Sequence, residues 1–428
     1  MTNSGDSKNR KRLRILDRLF ETYSGAPFAI RTWDEWSWRS SENQSPVFTV
    51  IFRTRHALEQ LFVDPSEWTL GEAFVEGGID VEGDLVSAFD LLEHVLEQPL
   101  GWWYGLLQNL SAISYRILRL GHGRKHSRSG DRAAISYHYD QPPEFFLPWL
   151  GPSLVYSCAY FLHAEDSLDV AQKNKLDYIC RKLRLQPGDR FLDIGCGWGS
   201  LILHAASEYQ AAASGITLSQ KQATVAVGRI NRAHLQQRCS VQLCDYRTLT
   251  ETPEFFDKIA SVGMFEHVGR NLLPAYFQIA HSILRPGGVF LNHGIARSCK
   301  QQSRKHSFID RYVFPNGELV PISEALQAAE QAGFEVRDVE NLREHYAKTL
   351  RLWIQGLEAH KELALRYVPR STFRIWKLYM AGSAAAFERG SLGVYQTLLC
   401  RPDRGRSNMP LTREDWYIDR ATESVVAI

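Results

Sequence analysis

The segment Phe191–Leu201 limits the possible folds of this chain more than any other. Its first residues have the apolar character of a buried strand, and its last residues favour a helix. Between them, glycines stand at alternate positions, namely Gly195, Gly197 and Gly199. Glycine lets the backbone turn sharply and lets a ligand lie against bare main chain. The segment therefore predicts a strand, a tight turn and a helix, with a ligand bound at the turn.

The spacing of these glycines indicates the kind of ligand. It is G-x-G-x-G, whereas dinucleotide-binding proteins carry G-x-G-x-x-G. The difference favours S-adenosylmethionine (SAM) and methyl transfer over nicotinamide chemistry. A turn without a ligand is the alternative, and three alternating glycines behind Leu192-Asp193-Ile194 argue against it. Asp193 would hold either the loop or the amino group of the ligand.

The pattern around this loop predicts an α/β domain over 133–428. Arg285–Gly288 is predicted as a tight turn, and residues 346–390 as helices that cap the site. Alternating strands and helices indicate a mostly parallel sheet with right-handed crossovers, and such sheets bind ligands at the carboxyl ends of their strands. The strand-like runs are 190–195, 211–217, 240–245, 258–263 and 288–294.

A smaller α+β domain is predicted over 1–98. Residues 1–9 are expected to be disordered, and a polar turn is expected at Ser40–Pro46. The apolar periodicity predicts helices at Arg10–Glu21 and over 56–100, and strands around Phe28–Trp33 and Val47–Arg53.

The segment 99–132 joins the two domains and combines aromatic with basic residues. Trp102, Trp103 and Tyr104 are followed by a Gly/Ser-rich stretch that carries several arginines. One interpretation is a helix packed between the domains and a solvated linker. The other is an interfacial element, with aromatic side chains at the depth of lipid headgroups and cations for anionic lipid. The sequence leaves both interpretations open.

The composition excludes several classes of protein. A formal net charge of +2 over 428 residues does not favour nucleic-acid binding by the whole chain. Seven dispersed cysteines indicate reduced thiols in the cytoplasm rather than a disulfide scaffold or a metal site. No apolar run approaches the ~20 residues that span a bilayer, and no signal peptide is evident. We expect a cytoplasmic protein that is soluble or lies on a membrane.

Polar residues after two further strands are candidates for holding the cofactor. Thr217 and Ser219 stand where a ribose-binding carboxylate is common, and Gln222 follows one turn later. The ribose contact is therefore expected to be neutral. Asp245 and Tyr246 would contact the adenine, although an aspartate there is also typical of a turn.

Three residues are candidates for chemistry, and none is decisive alone. Glu266 follows the fourth strand and would face the reactive end of the cofactor, or it interacts with a helix dipole. His267 beside it is interpreted as structural. His293 ends the fifth strand and is either a site residue or a satisfied structural histidine. Cys158 alone indicates a small buried hydrophobe.

Together these motifs resemble those of the cyclopropane fatty acid synthase family, including its mycolic-acid relatives. The resemblance covers roughly Ala133 to Asp419, and the N-terminal domain looks like the lipid-associated domain of the phospholipid-acting branch. The motifs that carry it are His138–Asp140, Tyr156–Cys158, Asp193–Gly199, Gly215–Gln222, Gly263–Gly269, Arg311–Gly317 and Glu344–Leu350.

The resemblance implies a Rossmann-like sheet of the SAM-dependent methyltransferase type with a helical cap. It implies methylene transfer from SAM to a cis double bond of an acyl chain in membrane phospholipids, with bicarbonate as the base. The five residues expected to hold bicarbonate are Cys158, Glu266, His293, Ile295 through its backbone, and Tyr346. The residues expected to contact SAM are Tyr156, Ser157, Asp193, Gly195, Cys196, Gly197, Gly199, Thr217, Leu218, Ser219, Gln222, Asp245 and Tyr246.

Other consequences of the resemblance concern partners and alternatives. A homodimer is expected, associated with the inner face of the cell membrane through anionic lipid, with segment 99–132 and the basic run Lys8–Arg14 as docking elements. Ser383 stands where some relatives have cysteine, which argues against a thiol nucleophile there. The alternatives are a lipid methyltransferase that makes methyl-branched chains, a small-molecule amine N-methyltransferase, and a SAM-binding or lipid-carrier protein with a dead site.

Overall fold

A computed structural model describes residues 16–63, 66–97, 141–251, 254–300, 308, 312–313 and 317–417. The segment 99–132, the basic run Lys8–Arg14, the motif His138–Asp140 and part of Arg311–Gly317 lie outside the described residues. The chain divides into two compact units. Among the helices of the described ranges, none has the length and apolar character required to cross a membrane.

The first unit comprises the described residues up to 122, those between 304 and 313, and 361–386. Its sheet has the order β2-β1-β3-β4, in which β1 and β3 are parallel and the outer pairs antiparallel. The strands are Phe28–Thr32 (β1), Ser37–Arg39 (β2), Phe48–Phe52 (β3) and Ile79–Gly83 (β4). The helices are Arg55–Val63, Glu67–Glu76, Ala88–Glu97, Lys361–Ala364 and the greater part of Arg370–Glu388.

The structure confirms the two predicted strands of this unit and most of the helical region predicted over 56–100, and it corrects two elements. Ile79–Gly83, predicted as part of a helical region, is a strand, because Ile79 and Val81 alternate into the core. Asp80 between them is held by Arg374, which follows almost 300 positions later. The short strand β2 was not predicted, because only the buried Trp38 marks it within a polar stretch. Pairing with neighbouring strands, rather than local sequence, therefore determined that β2 and β4 are strands.

The second unit contains a seven-stranded sheet of order β10-β11-β9-β8-β5-β6-β7. Strands β5 to β9 are mutually parallel, and β11 is antiparallel to both β9 and β10. The strands are Arg190–Ile194 (β5), Ala212–Thr217 (β6), Cys239–Leu243 (β7), Phe256–Val262 (β8), Leu284–Arg297 (β9), Glu335–Asn341 (β10) and Leu392–Cys400 (β11). The helices are Pro143–Leu150, Leu168–Leu183, Ser200–Glu208, Gln220–Arg232, Leu273–Ile283, Ile322–Gln331 and Arg343–Ala359.

This sheet confirms the predicted α/β class and the five predicted strands. The predicted turn Arg285–Gly288 lies within β9 as a bulge, where the pairing with β8 passes from Leu284 to Val289 and Gly287 has a φ of +78°. The antiparallel strands β10 and β11 were not predicted. The region 346–390 is largely helical, as predicted.

The sheet order determines where a ligand can bind. From β5 the chain proceeds to β6 and β7 on one side, and then returns to β8 on the other side of β5. Loops that leave β5 and β8 at their carboxyl ends therefore diverge and leave a crevice between them. Apolar clusters that include residues of helices Leu168–Leu183 and Leu273–Ile283 pack against the sheet and fix the strands.

Candidate active site

The loop after β5 has the tight conformation that its glycines predict. Gly195, Gly197 and Gly199 have φ of +86°, +53° and +83°, in the left-handed region that favours glycine. The N–H groups of Gly195 and Cys196 donate to the carbonyl of Ile216, at 3.0 and 2.9 Å. The helix Ser200–Glu208 begins directly afterwards. The loop thus lies between β5 and β6 with its backbone close to the crevice.

A cavity at this loop, called the cofactor cavity below, is lined by most of the residues expected to hold the cofactor. It also extends to Val262, Gly263 and Met264 at the end of β8. Its lining therefore connects the glycine loop to the strand that precedes Glu266. The predicted residues in the lining are Tyr156, Ser157, Asp193, Gly195, Cys196, Gly197, Thr217, Leu218, Gln222 and Tyr246.

Three predicted residues shape the lining without belonging to it. Gly199 is the N-cap of helix Ser200–Glu208. Ser219 Oγ accepts a hydrogen bond from the N–H of Gln222 at 3.2 Å and so caps the next helix. Asp245 accepts from the backbone N–H of Arg247 at 3.0 Å and from its guanidinium Nε at 2.9 Å. The interpretation of Asp245 as a residue that starts a turn therefore agrees with its local contacts.

The side chains at the end of β6 are uncharged, as the prediction of a neutral ribose contact requires. Thr217 Oγ1 donates to Gln222 Oε1 at 2.9 Å and accepts from the N–H of Ser219 at 3.2 Å. These bonds hold both side chains in fixed positions at the cavity wall.

Two buried ionisable residues, Asp193 and Lys175, also line the cavity. Asp193 is 3% exposed, and its Oδ1 has no hydrogen-bond partner within the described structure. Burial raises the pKa of Asp193 to about 7, and the charge of Lys175 opposes that shift. Lys175 Nζ donates to Ser157 Oγ at 2.8 Å, and burial lowers the pKa of Lys175 to about 8. The unpartnered oxygen is suited to accept a hydrogen bond from a cationic amine.

Sequence reasoning missed Lys175 and several other residues of the lining. A signal existed, because Gln172, Lys175 and Lys182 are polar residues on the buried side of helix Leu168–Leu183. A buried lysine is rare unless it has a specific partner. His267, which we interpreted as structural, lines the cavity as well.

Glu266 lies just beyond the cavity, in the single turn Phe265–His267. Its Oε1 accepts a hydrogen bond from the N–H of Ile295 at 2.7 Å, whereas its Oε2 is enclosed without a partner in the part of the chain described. Burial raises the pKa of Glu266 to about 7 against the lowering effect of its hydrogen bonds. The backbone of Ile295, expected to contact an ion, is therefore engaged by Glu266 in this structure.

This close approach depends on Gly294. A Cβ at Gly294 would lie 2.9 Å from the side chain of Phe265, closer than real Cβ contacts allow. The absence of a side chain lets the turn pack directly on β9. Glu266 can then reach the N–H of the next residue, Ile295.

His293 is buried on β9, two residues before Ile295. Its Nδ1 is 3.2 Å from Nε2 of Gln396, and its own Nε2 has no partner among the described residues. Burial, followed by the charges of Lys175 and Lys182, lowers the pKa of His293 to about 3. The imidazole is therefore neutral at physiological pH. Glu266, His293 and Ile295 are called the reactive cluster below.

Cys158 and Tyr346 form a second group. Cys158 is fully buried, its thiol sulfur lies 3.3 Å from the carbonyl oxygen of Ala159 and 3.7 Å from that of Leu342, and burial raises the pKa of the thiol far above the ordinary range. Cys158 is therefore a thiol and not a thiolate. Tyr346 is also buried, on the helix that begins directly after Leu342. Leu342 N–H donates to the carbonyl of Val394 at 2.8 Å, and Val394 pairs with Ile295 in the sheet. The second group is thus anchored to the strand beside the reactive cluster.

Two protein families match the two parts of the chain. A family described as mycolic acid cyclopropane synthetase matches residues 126–397. A family described as a domain of unknown function matches residues 15–98.

Two relatives are similar to different shares of the chain. A probable fatty acid methyltransferase of Pseudomonas putida is 40% identical over 403 residues, which are 91% of this chain and 96% of that protein. A cyclopropane-fatty-acyl-phospholipid synthase of Escherichia coli K12 is 38% identical over 270 residues, which are 62% of this chain and 66% of that protein.

A solved structure shares the fold of the larger unit. It is the mycolic acid cyclopropane synthase CmaA1 complexed with SAH and CTAB. The two chains are 34% identical with a TM-score of 0.59, over 63% of this chain and 97% of that chain. The predicted resemblance and the predicted fold class are therefore confirmed.

Proposed function

This chain belongs to the mycolic acid cyclopropane synthetase family of SAM-dependent methyltransferases, and we propose that it converts cis double bonds of phospholipid acyl chains into cyclopropane rings. One observation carries the proposal. Among the described residues, Glu266 Oε2 and His293 Nε2 are enclosed without hydrogen-bond partners beside the cofactor cavity. Glu266 lies in the turn that bonds to β9, and His293 lies on β9 itself. Burying a polar atom without a hydrogen-bond partner destabilises the fold, so such a pair points to a ligand that bonds to both atoms.

In this proposal the methyl donor occupies the cofactor cavity. The glycine loop would lie against the donor, and the unpartnered oxygen of Asp193 would accept from its amino group. Thr217 and Gln222 would contact the ribose with neutral groups. SAM supplies an electrophilic methyl group on a sulfonium. Because the cavity reaches the end of β8, that methyl group would face the turn with Glu266.

An alkene has no proton to remove before it attacks, so the first task of the protein is alignment. The alkene carbon, the methyl carbon and the sulfur must lie in line with water excluded. Attack forms the new carbon–carbon bond, breaks the sulfur–methyl bond and leaves a cation on the acyl chain. Loss of a proton from the new methyl group then closes the ring. The second task is therefore to place a base and negative charge near that cation.

The residues of the reactive cluster fit a small oxyanion such as bicarbonate. A neutral His293 with a proton on Nε2 would donate to it, and the Oε2 of an ionised Glu266 would accept its O–H. Tyr346 and the thiol of Cys158 would complete the binding groups. Bicarbonate, when bound, supplies a base small enough to lie beside the acyl chain. The hydrogen bond from Ile295 N–H fixes the orientation of the Glu266 carboxylate.

We further propose that the enzyme acts at the cytoplasmic surface of a membrane, because its substrate carbons lie within a bilayer. The segment 99–132 and the basic run Lys8–Arg14 would contact anionic headgroups. Binding should then weaken as salt rises. Sedimentation with anionic and with neutral vesicles at low and high salt tests this. Equal binding to both at high salt would contradict the electrostatic part. A homodimer is also proposed, and analytical ultracentrifugation of the full chain tests it.

A second candidate is methyl transfer without ring closure. The relative from Pseudomonas putida, which matches both domains, is named a probable fatty acid methyltransferase. The same cation would then lose a proton from the acyl chain instead of from the new methyl group. The two reactions differ only in which proton faces the base.

SAM with a fully deuterated methyl group distinguishes these outcomes. Full-length protein would be incubated with it and with vesicles of a cis-unsaturated phospholipid, and the acyl chains analysed by mass spectrometry. Ring closure retains two of the three deuterons, and the product resists hydrogenation. A product that retains all three supports the second candidate. Label in an added small amine and none in lipid would overturn both in favour of N-methylation, and the absence of any SAM turnover would indicate a dead site.

A further inference from the structure

A row of polar side chains crosses three strands beside the reactive cluster. His293 on β9 pairs in register with Gln396 on β11, and Gln396 pairs with Glu340 on β10. Beyond them, Lys182 Nζ donates to Glu340 Oε2 at 2.5 Å. Gln396 is completely buried, and the mechanism proposed above does not use it. The buried amide of Gln396 therefore lies between His293 and the ion pair of Lys182 with Glu340.

The contact between Gln396 and His293 restricts the proton on the imidazole. The amide Nε2 of Gln396 lies 3.2 Å from His293 Nδ1, and an amide NH2 can only donate. Nδ1 must then be the acceptor. Burial and the nearby lysines keep His293 neutral, and a neutral imidazole carries one proton. That proton is consequently on Nε2.

We infer that Gln396 is a positioning residue that fixes the tautomer of His293, so that Nε2–H is the group presented to the site. The consequence for catalysis rests on the proposed function. An anion held by the reactive cluster requires a donor from His293. The opposite tautomer would present a lone pair from Nε2 and repel the anion. Gln396 therefore acts through His293 and does not itself contact the reacting atoms.

The structure also argues against a role limited to packing. Gln396 Oε1 is buried without a partner among the described residues. A buried amide that leaves one atom unpartnered destabilises the fold relative to an apolar residue of similar shape. Contacts along β11 would be maintained by leucine or methionine. The bond to His293 is the contact for which an amide is needed.

Nitrogen NMR of full-length protein labelled with 15N-histidine tests the inference without any substrate. The His293 resonances are identified by their loss in His293→Asn. In the wild type, Nδ1 should have the shift of an unprotonated ring nitrogen and Nε2 that of a protonated one. The reverse assignment would mean that the amide presents its oxygen instead, and it would overturn the inference. This measurement on the wild type does not depend on the folding of a Gln396 variant.

Gln396→Glu provides the sharpest variant, because it preserves the shape and replaces the donor with acceptors. A carboxylate facing Nδ1 draws a proton to that nitrogen, so the Nδ1 shift should become that of a protonated atom. The matched control is Thr397→Val, since Thr397 is the next residue on β11, is also buried and pairs with Asn292. The control should leave the His293 shifts unchanged. An unprotonated Nδ1 in folded Gln396→Glu would overturn the inference.

Kinetics separates positioning from packing. Gln396→Glu should lower kcat by about 10- to 100-fold, as other changes to residues that orient catalytic groups do, and leave the Kd for SAM unchanged. An unchanged kcat with a reversed tautomer would overturn the consequence for catalysis. If the wild-type tautomer is as inferred but turnover does not depend on bicarbonate, the proposed ion fails and the assignment of the tautomer stands.

Discussion

The cofactor cavity and the reactive cluster are neighbours, but they are built differently. The cavity is formed largely by backbone and by side chains that bond to one another, such as Thr217 with Gln222, and Asp193 Oδ1 is left there as an acceptor. In the cluster, Glu266 Oε2 and His293 Nε2 are both enclosed without a partner among the described residues. A cavity of the first kind can bind a common cofactor in many enzymes. A cluster of the second kind has unsatisfied polar atoms that suit one particular ligand. We therefore expect the cluster, rather than the cavity, to determine which reaction is catalysed.

The largest effect is expected from replacing the Glu266 carboxylate, which should lower turnover and leave cofactor binding unchanged. Glu266→Gln retains the acceptor for Ile295 N–H but removes the charge. We expect kcat to fall by about 100- to 10,000-fold, the range typical for loss of acid–base assistance, with the Kd for SAM unchanged. Steady-state kinetics and calorimetric titration with SAM measure the two quantities. Glu330→Gln, at an exposed helix position, is the control. A parallel loss of SAM binding would show that the two regions are not separable.

The same substitution should stabilise the fold at neutral pH. The pKa of Glu266 is about 7 in the fold against an ordinary value of 4.5. The folded state therefore binds more protons than the unfolded chain between these values, and the wild type loses stability as pH rises from about 4.5 to about 7. Glu266→Gln does not titrate and should gain about 1–3 kcal/mol over the wild type across that window. Urea unfolding of both proteins at pH 5 and pH 8 measures the difference. An equal difference at both pH values would contradict the assignment.

A backbone change should affect the cofactor cavity and spare the cluster. Gly195→Ala forces a side chain into a left-handed conformation, with its Cβ 3.0 Å from Met264. The strain of about 1–2 kcal/mol should weaken SAM binding by about tenfold. Gly188→Ala is the matched control, because Gly188 has nearly the same φ of +85° but open space around its Cβ. The control should lower stability without changing the Kd for SAM. Similar losses of affinity in both variants would contradict a specific role for the loop.

The smallest expected effect concerns the neutral ribose contact. Thr217→Val removes a hydroxyl that donates to Gln222 and accepts from Ser219 N–H. Loss of about 1 kcal/mol of hydrogen bonding should raise the Kd for SAM by about fivefold, with kcat at saturating SAM unchanged. Ser214→Ala on the same strand, whose hydroxyl contacts Ser240 at 3.2 Å, should leave the Kd unchanged. An unaltered Kd in Thr217→Val would remove this residue from the binding site.

The same contrast explains what the sequence predicts and what it does not. The glycine loop and its strand are local in sequence, and periodicity and spacing were sufficient to predict them. The reactive cluster joins residues on different elements, and only a family resemblance brought Glu266, His293 and Ile295 together before the structure was known. Gln396 and Lys175 were missed, because their roles depend on contacts across the sheet. Strands β10 and β11 were missed as well, since they pair antiparallel at an edge that the repeating pattern of strands and helices does not indicate.

The proposed mechanism requires an anion that satisfies the reactive cluster, so turnover should depend on bicarbonate. Turnover would be measured with wild-type protein and phospholipid vesicles in buffer purged of carbon dioxide, and again after bicarbonate is restored, while SAM binding is followed in parallel. We predict that turnover falls on purging, returns with added bicarbonate in a saturable manner, and that the Kd for SAM stays constant. Full turnover in purged buffer would mean that the reactive cluster works without bicarbonate.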